Sequence, residues 1–115
     1  MDQGLGKRIF DFTVDIIKYC RSLPRGKEYE IIKSQLIRSS TSVGANYEEA
    51  QAASSRADFI NKVKISLKEA RESNYWIRIL VSLTESDTHL DNLLTESKEL
   101  MNILGAISAK SSLKK

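Results

Sequence analysis

Five side chains carry the clearest chemical suggestion in the chain. Lys64, Lys68, Arg71, Tyr75 and Arg78 fall at i, i+4, i+7, i+11 and i+14, a spacing that lines them up along one stripe of a helix. Cations in a row can follow a phosphate backbone, and an aromatic ring among them can stack a base. The same residues also fit a plainer role, a solvated flank whose lysine stems cover apolar surface. A second polar ridge is formed by Arg38, Ser42, Asn46 and Glu49 at i, i+4, i+8 and i+11. It could offer hydrogen-bonding groups to a ligand. More often such a ridge, at the margin of a core stripe, bonds to a neighbouring helix and sets the packing register, with Asn74 as a candidate partner.

Templates for catalysis fail in turn. No Glu-x-x-His pair occurs, so a carboxylate-bridged di-iron bundle is excluded. No Walker-type glycine loop is present. A Ser–His–Asp site would have to recruit His89, the only histidine, which lies in a polar turn and reads as a surface or capping residue. Glu48 and Glu49 are adjacent, so on a helix they diverge by about 100° and make no acid–base pair by themselves. The single cysteine, Cys20, sits on an apolar helical face as a small core residue. It permits neither an intrachain disulfide nor a thiolate zinc cage. No cofactor and no metal are expected. An enzyme would need converging carboxylates from different helices, for instance Glu49 near Glu69 or Glu72.

The whole composition agrees with a small soluble protein. The chain has 115 residues, 41% hydrophobic and 29% charged, with net charge +3. That suits one domain with a real core and argues against disorder. Five glycines and one proline are too few for a β-sandwich or barrel, which turns every dozen residues or so. The first residues lack the apolar run of a signal peptide, and no window approaches a spanning helix, so a cytoplasmic location off the membrane is expected. Charge is segregated along the chain: residues 7–38 carry +4, 56–78 carry +3 and 79–104 carry −4. One surface can therefore be basic while the net charge stays small.

Helical periodicity runs through all four segments that must position these side chains. Ile9, Phe12, Ile16, Tyr19, Cys20 and Leu23 share one face, and Pro24 and Gly26 end that run. Ile32, Leu36, Ser39, Val43, Tyr47 and Ala50 repeat the period until the Ala52–Ser55 stretch. Ser55 followed by Asp58 reads as an N-cap with a short-armed capping box. The longest run is Ile60, Val63, Leu67, Ala70, Asn74, Ile77 and Val81. The last is Leu90, Leu93, Leu94, Ser97, Leu100, Met101, Leu104 and Ile107. Helices are predicted at about 5–23, 28–52, 56–84 and 88–109, with a frayed tail. No segment alternates with period two long enough for a strand. Short links between helices favour an all-α, antiparallel up-down-up-down four-helix bundle in one domain, with helices roughly 38 Å long.

The third segment has a second apolar stripe: Ile65, Trp76, Ile79 and Leu83, with Glu69 and Glu72 among them. The first is broad as well, with Phe10, Val14 and Ile17 beside its main stripe. Since a bundle helix buries one face in its own core, a second face bearing a tryptophan marks an interface, and a homo-oligomer anchored by Trp76 is inferred. The alternative is that the stripe packs inside an irregular monomer.

The second and third segments resemble a known family. The run from Arg38 to Ala50, with Arg38, Ser42, Val43, Asn46 and Glu49 in place, followed by Ser55, Asp58 and Phe59, is similar to the signature of the four-helix bundle proteins related to the 23S ribosomal RNA intervening-sequence protein. The Leu67–Trp76 segment resembles that family's third helix. The usual glycine after the motif glutamate is Ala50, and Ala53-Ser54 stands where a basic turn residue is frequent. The resemblance implies bacterial antiparallel bundles that assemble into ring-shaped pentamers. It also implies no enzymatic activity and, through accessory proteins of diversity-generating retroelements, basic surfaces that bind RNA or DNA. The expected protein is a non-enzymatic homo-oligomer that binds nucleic acid through charge. The competing expectation is an oligomeric scaffold that binds only proteins.

Overall fold

A computed structural model describes residues 3–113. It contains four helices, α1 (Gln3–Arg21), α2 (Lys27–Gln51), α3 (Arg56–Leu83) and α4 (Thr88–Leu113), and among the described residues no strand. Each boundary has a local cause. The α1 run closes where the Ser22 and Leu23 amides donate back to the Tyr19 and Cys20 carbonyls (2.9 and 3.2 Å), two residues short of the predicted end. Gly26 then takes φ 144°, open to glycine but strained for other residues, and turns the chain into α2. Ser55, extended at φ −151°, accepts the Asp58 amide at 3.0 Å and caps α3. Asp87 accepts the Leu90 amide at 3.2 Å at the start of α4. The last helix, predicted to about residue 109 with a frayed tail after it, is longer by four residues. α4 continues to Leu113, and Arg56 Nη2 donates to the Ser111 carbonyl at 2.8 Å. Lys114 and Lys115 lie outside the described residues.

Contact register defines the topology. Thr13 meets Ser40 and Ile9 lies against Gly44, so α1 and α2 run in opposite directions. Ser39 meets Ser73 while Ser66 meets Val43, which makes α2 and α3 antiparallel. Asn74 bonds Ser97 and Arg56 bonds Ser111, fixing α3 against α4. Tyr19 bonds Asp87 and Arg8 bonds Glu96, closing α4 back on α1. Sequential helices are neighbours, and the pairs α1–α3 and α2–α4 lie across the diagonals. The result is a rod of 48 × 21 × 20 Å.

The core is filled by Ile9, Ile16, Leu36, Val43, Val63, Ile77, Leu80, Leu90, Leu100 and Leu104, all essentially excluded from solvent. Each large side chain removed from water contributes about 1.5–3 kcal/mol. Among them lies a layer of small polar residues. Ser39, Ser66 and Ser73 are fully buried on the α2–α3 seam, and Ser40 is buried where α2 meets Thr13 of α1. The Ser39 and Ser73 hydroxyls share a 2.8 Å hydrogen bond, and Ser66 Oγ donates to the Val43 carbonyl at 2.7 Å. Small side chains let the two backbones approach closely, and their hydroxyls are satisfied there: among the described residues no buried side-chain polar atom lacks a partner.

Candidate functional site

The exposed face of α3 presents the ridge. Lys64, Lys68 and Arg71 are exposed, and none forms an ion pair among the described residues. The contrast with other basic residues is clear. Lys7 pairs with Asp11 and Lys33 with Glu30, at 2.7 and 2.9 Å, and Arg8 bonds both Glu96 and Glu99. Tyr75 and Arg78 extend the line. The Arg78 guanidinium lies 5.6 Å from the Tyr75 ring centroid, and its Nε donates to Asn74 Oδ1 at 2.9 Å. A cation over the aromatic face is favourable and holds both side chains in place.

The second apolar stripe lies on the α2 side of this ridge. Leu83 is half exposed, but Ile65, Trp76 and Ile79 are only partly so. Trp76 and Ile79 also pack against the core. The stripe is therefore partly absorbed by its own bundle rather than turned wholly outward. The cause is its position on the α2–α3 flank, where α2 shelters one side. On α1, Phe10 is strongly exposed while Val14 and Ile17 are half-buried, and Ile31 of α2 is also exposed.

Arg38 joins the two features that sequence periodicity treats separately. From α2 it reaches across to Glu69 (3.3 Å) and to Glu72 of α3, and Glu72 also accepts the Trp76 indole N–H at 3.0 Å. The Arg38 hydrogen bond, followed by that from Trp76, holds the Glu72 carboxyl below its ordinary range and favours its charged form. The Glu72 carboxylate in turn raises the Arg38 pKa. Within the ridge, Asn46 Nδ2 donates one turn back to the Ser42 carbonyl at 2.9 Å. Asn74 is not the ridge's partner. It donates to Ser97 Oγ of α4 at 3.0 Å, because its place on α3 faces α4 and not α2. Glu49 does not converge with Glu69 or Glu72. The pairing of residue 43 with 66 sets Glu49 near the start of α3, two to three helical turns from Glu69.

The remaining reactive groups are engaged. Burial pushes the Cys20 thiol up to about 11, so it is neutral and inert at ordinary pH. His89 sits edge-on to Tyr19, with centroids 5.3 Å apart, and its Nε2 lies 3.1 Å from Asp15. Tyr19 donates to Asp87 at 2.9 Å. Burial first, then that bond, raises the phenol, and the same bond lowers the Asp87 carboxyl. A hollow of about 470 Å³ between α1 and α4 is lined by Asp11, Asp15 and Glu96. Each of these acids already faces a basic partner: Lys7, His89 and Arg8. Among the described residues no three His, Cys, Asp or Glu side chains gather as metal ligands. Among the described residues no helix is long and apolar enough to cross a membrane. The α1–α4 contacts had no local signature in the sequence, since they join residues 68 to 91 positions apart.

The class is thus an all-α, antiparallel four-helix bundle with a basic outer ridge on its longest helix. The chain belongs to the 23S rRNA-intervening sequence protein family, whose model matches residues 2–106. A crystal structure of a protein of unknown function from the S23 ribosomal protein family of Bacteroides thetaiotaomicron VPI-5482 is similar at 34% identity and TM-score 0.82. The match covers 90% of this chain and 97% of that one. No curated protein matches the chain. The residues of the motif are mainly devoted to packing and ends: Val43 fills the core, Arg38 pins α2 to α3 and Ser55 caps α3.

Proposed function

We propose that the protein is a non-enzymatic, cytoplasmic homo-oligomer that binds RNA or DNA through the α3 ridge, with little sequence preference. The observation that carries this reading is the set of exposed cations, Lys64, Lys68 and Arg71, which make no ion-pair contact among the described residues and share an exposed face with Tyr75 and Arg78. A cation already paired with a carboxylate gains little from a phosphate, whereas an unpaired one releases condensed counterions. Copies would associate through Ile65, Trp76, Ile79 and Leu83, in a ring of five if the family resemblance holds in assembly too. Repetition of the ridge around a ring multiplies the phosphates contacted.

The test is gel mobility with an RNA pool and protein freed of co-purified nucleic acid. Binding should weaken by orders of magnitude between about 50 and 200 mM salt. Replacing Lys64, Lys68 and Arg71 by Glu should abolish it while the circular dichroism of the bundle is retained. Unchanged binding in that triple variant would defeat the reading. The half-exposed Leu83 beside Trp76 favours a second reading, an oligomeric scaffold without a nucleic-acid role. An assembly mass by light scattering together with no RNA shift would select it, and a monomeric mass would remove the oligomer from both.

A further inference from the structure

Beside Tyr75 lies a hollow of about 240 Å³, lined by Tyr75, Arg78, Ile79, Ser82 and Leu83. Its composition differs from the rest of the ridge. Two aliphatic side chains, an aromatic ring, a guanidinium and one hydroxyl line it. Tyr75 is 49% exposed, an unusual cost for a ring on a helix exterior. It is also held in place. Arg78 lies over it at 5.6 Å, and the Trp76 ring meets it edge-on at 5.2 Å and 69°. Arg78 is itself anchored by Asn74, which is tied to Ser97 in the core, and Ser82 Oγ donates to the Arg78 carbonyl at 3.1 Å. A ring and a guanidinium fixed before binding are a stacking platform that loses little entropy when a flat ligand arrives.

We propose that this hollow takes an unpaired nucleobase, and that the ridge therefore selects single-stranded over double-stranded nucleic acid. The inference rests on the reading of the ridge as a nucleic-acid surface. Charge complementarity names the occupant. Arg71 and Lys68 stand one and two turns before Tyr75 on the same stripe, placed to hold phosphates of a strand whose base enters the hollow. A duplex cannot supply that base without unstacking it. Ile79 and Leu83 are shared with the apolar face, so the hollow lies where ridge and face meet.

The discriminating quantity is the ratio of affinities for a 12-nucleotide oligouridine and a 12-base-pair RNA duplex at one salt concentration. Charge alone favours the duplex, whose charge density is higher, so a preference for the single strand requires stacking. The expected ratio favours the single strand by about tenfold or more. Tyr75→Ala should bring it to unity or below, and Tyr75→Phe should preserve it. Lys68→Glu with Arg71→Glu should weaken both ligands together. The ratio is read with wild type and variants at the same mass by light scattering, because Ile79 and Leu83 also belong to the face through which copies would associate. Oligouridine should also quench the sole tryptophan, next to the ring, more than the duplex does. A wild-type ratio at or below one, or a ratio that Tyr75→Ala leaves unchanged, overturns the stacking site and leaves the ridge intact. Failure of both ligands to bind overturns the ridge and the hollow together.

Discussion

Glu72 joins two side chains on the α2–α3 flank: it accepts from Arg38 across the helix interface and from Trp76 one turn on. Its carboxyl is held below the ordinary 4.5, so the folded state binds its proton less readily than the unfolded chain. Stability from this source is complete above the unfolded value and is lost as pH falls through the folded one. Glu72→Gln should therefore lower unfolding stability by about 1 kcal/mol at pH 7. Urea titrations at pH 7 and pH 3 should show the gap between wild type and variant closing in acid. A constant gap would mean that the carboxylate charge is not what stabilises, since glutamine keeps an oxygen that can accept the indole N–H. The arginine–carboxylate pairing was invisible to periodicity because it lies across two helices. Arg38 and the two glutamates were each visible on their own helix, on separate stripes.

At the scale of the element, the start of α3 was legible because Ser55 and Asp58 are local signals, and the Pro24–Gly26 stop was legible for the same reason. The end of α4 was not, since neither glycine nor proline marks it and Arg56 reaches it from another helix. Serines in a core stripe are weak signals one at a time, yet on α2 and α3 they set how closely the helices pack. Ser39 Oγ donates to the Leu36 carbonyl as well as facing Ser73. Removing Ser39 leaves the Ser73 hydroxyl without its partner, whereas removing Ser73 leaves Ser39 still bonded to its own helix. Ser39→Ala should then cost about 1–3 kcal/mol and Ser73→Ala less. The double variant should cost less than the sum, by at least about 0.5 kcal/mol in chemical denaturation. Strict additivity would show that the pair does not interact.

For the molecule as a whole, the four seams are not alike. The α2–α3 seam is closed by buried hydroxyls, while the outer edge of the α1–α4 seam is closed by the ion pairs of Arg8 with Glu96 and Glu99 and the contact of Asp15 with His89, beside the buried Tyr19 phenol that donates to Asp87. Exposed pairs weaken as salt shortens the screening length from about 10 Å at 0.1 M to about 3 Å at 1 M. Beneath that edge, Phe12 of α1 and Leu93 of α4 line the same hollow. Raising salt should speed amide hydrogen exchange in α1 more than in α2 or α3, and equal acceleration across the helices would contradict it. Brine then acts as a wedge. It works only at the rim: Ile9, Phe12 and Ile16 keep α1 seated, so concentrated electrolyte slackens the side of the rod that lacks buried serines and leaves the serine-zipped half as it was.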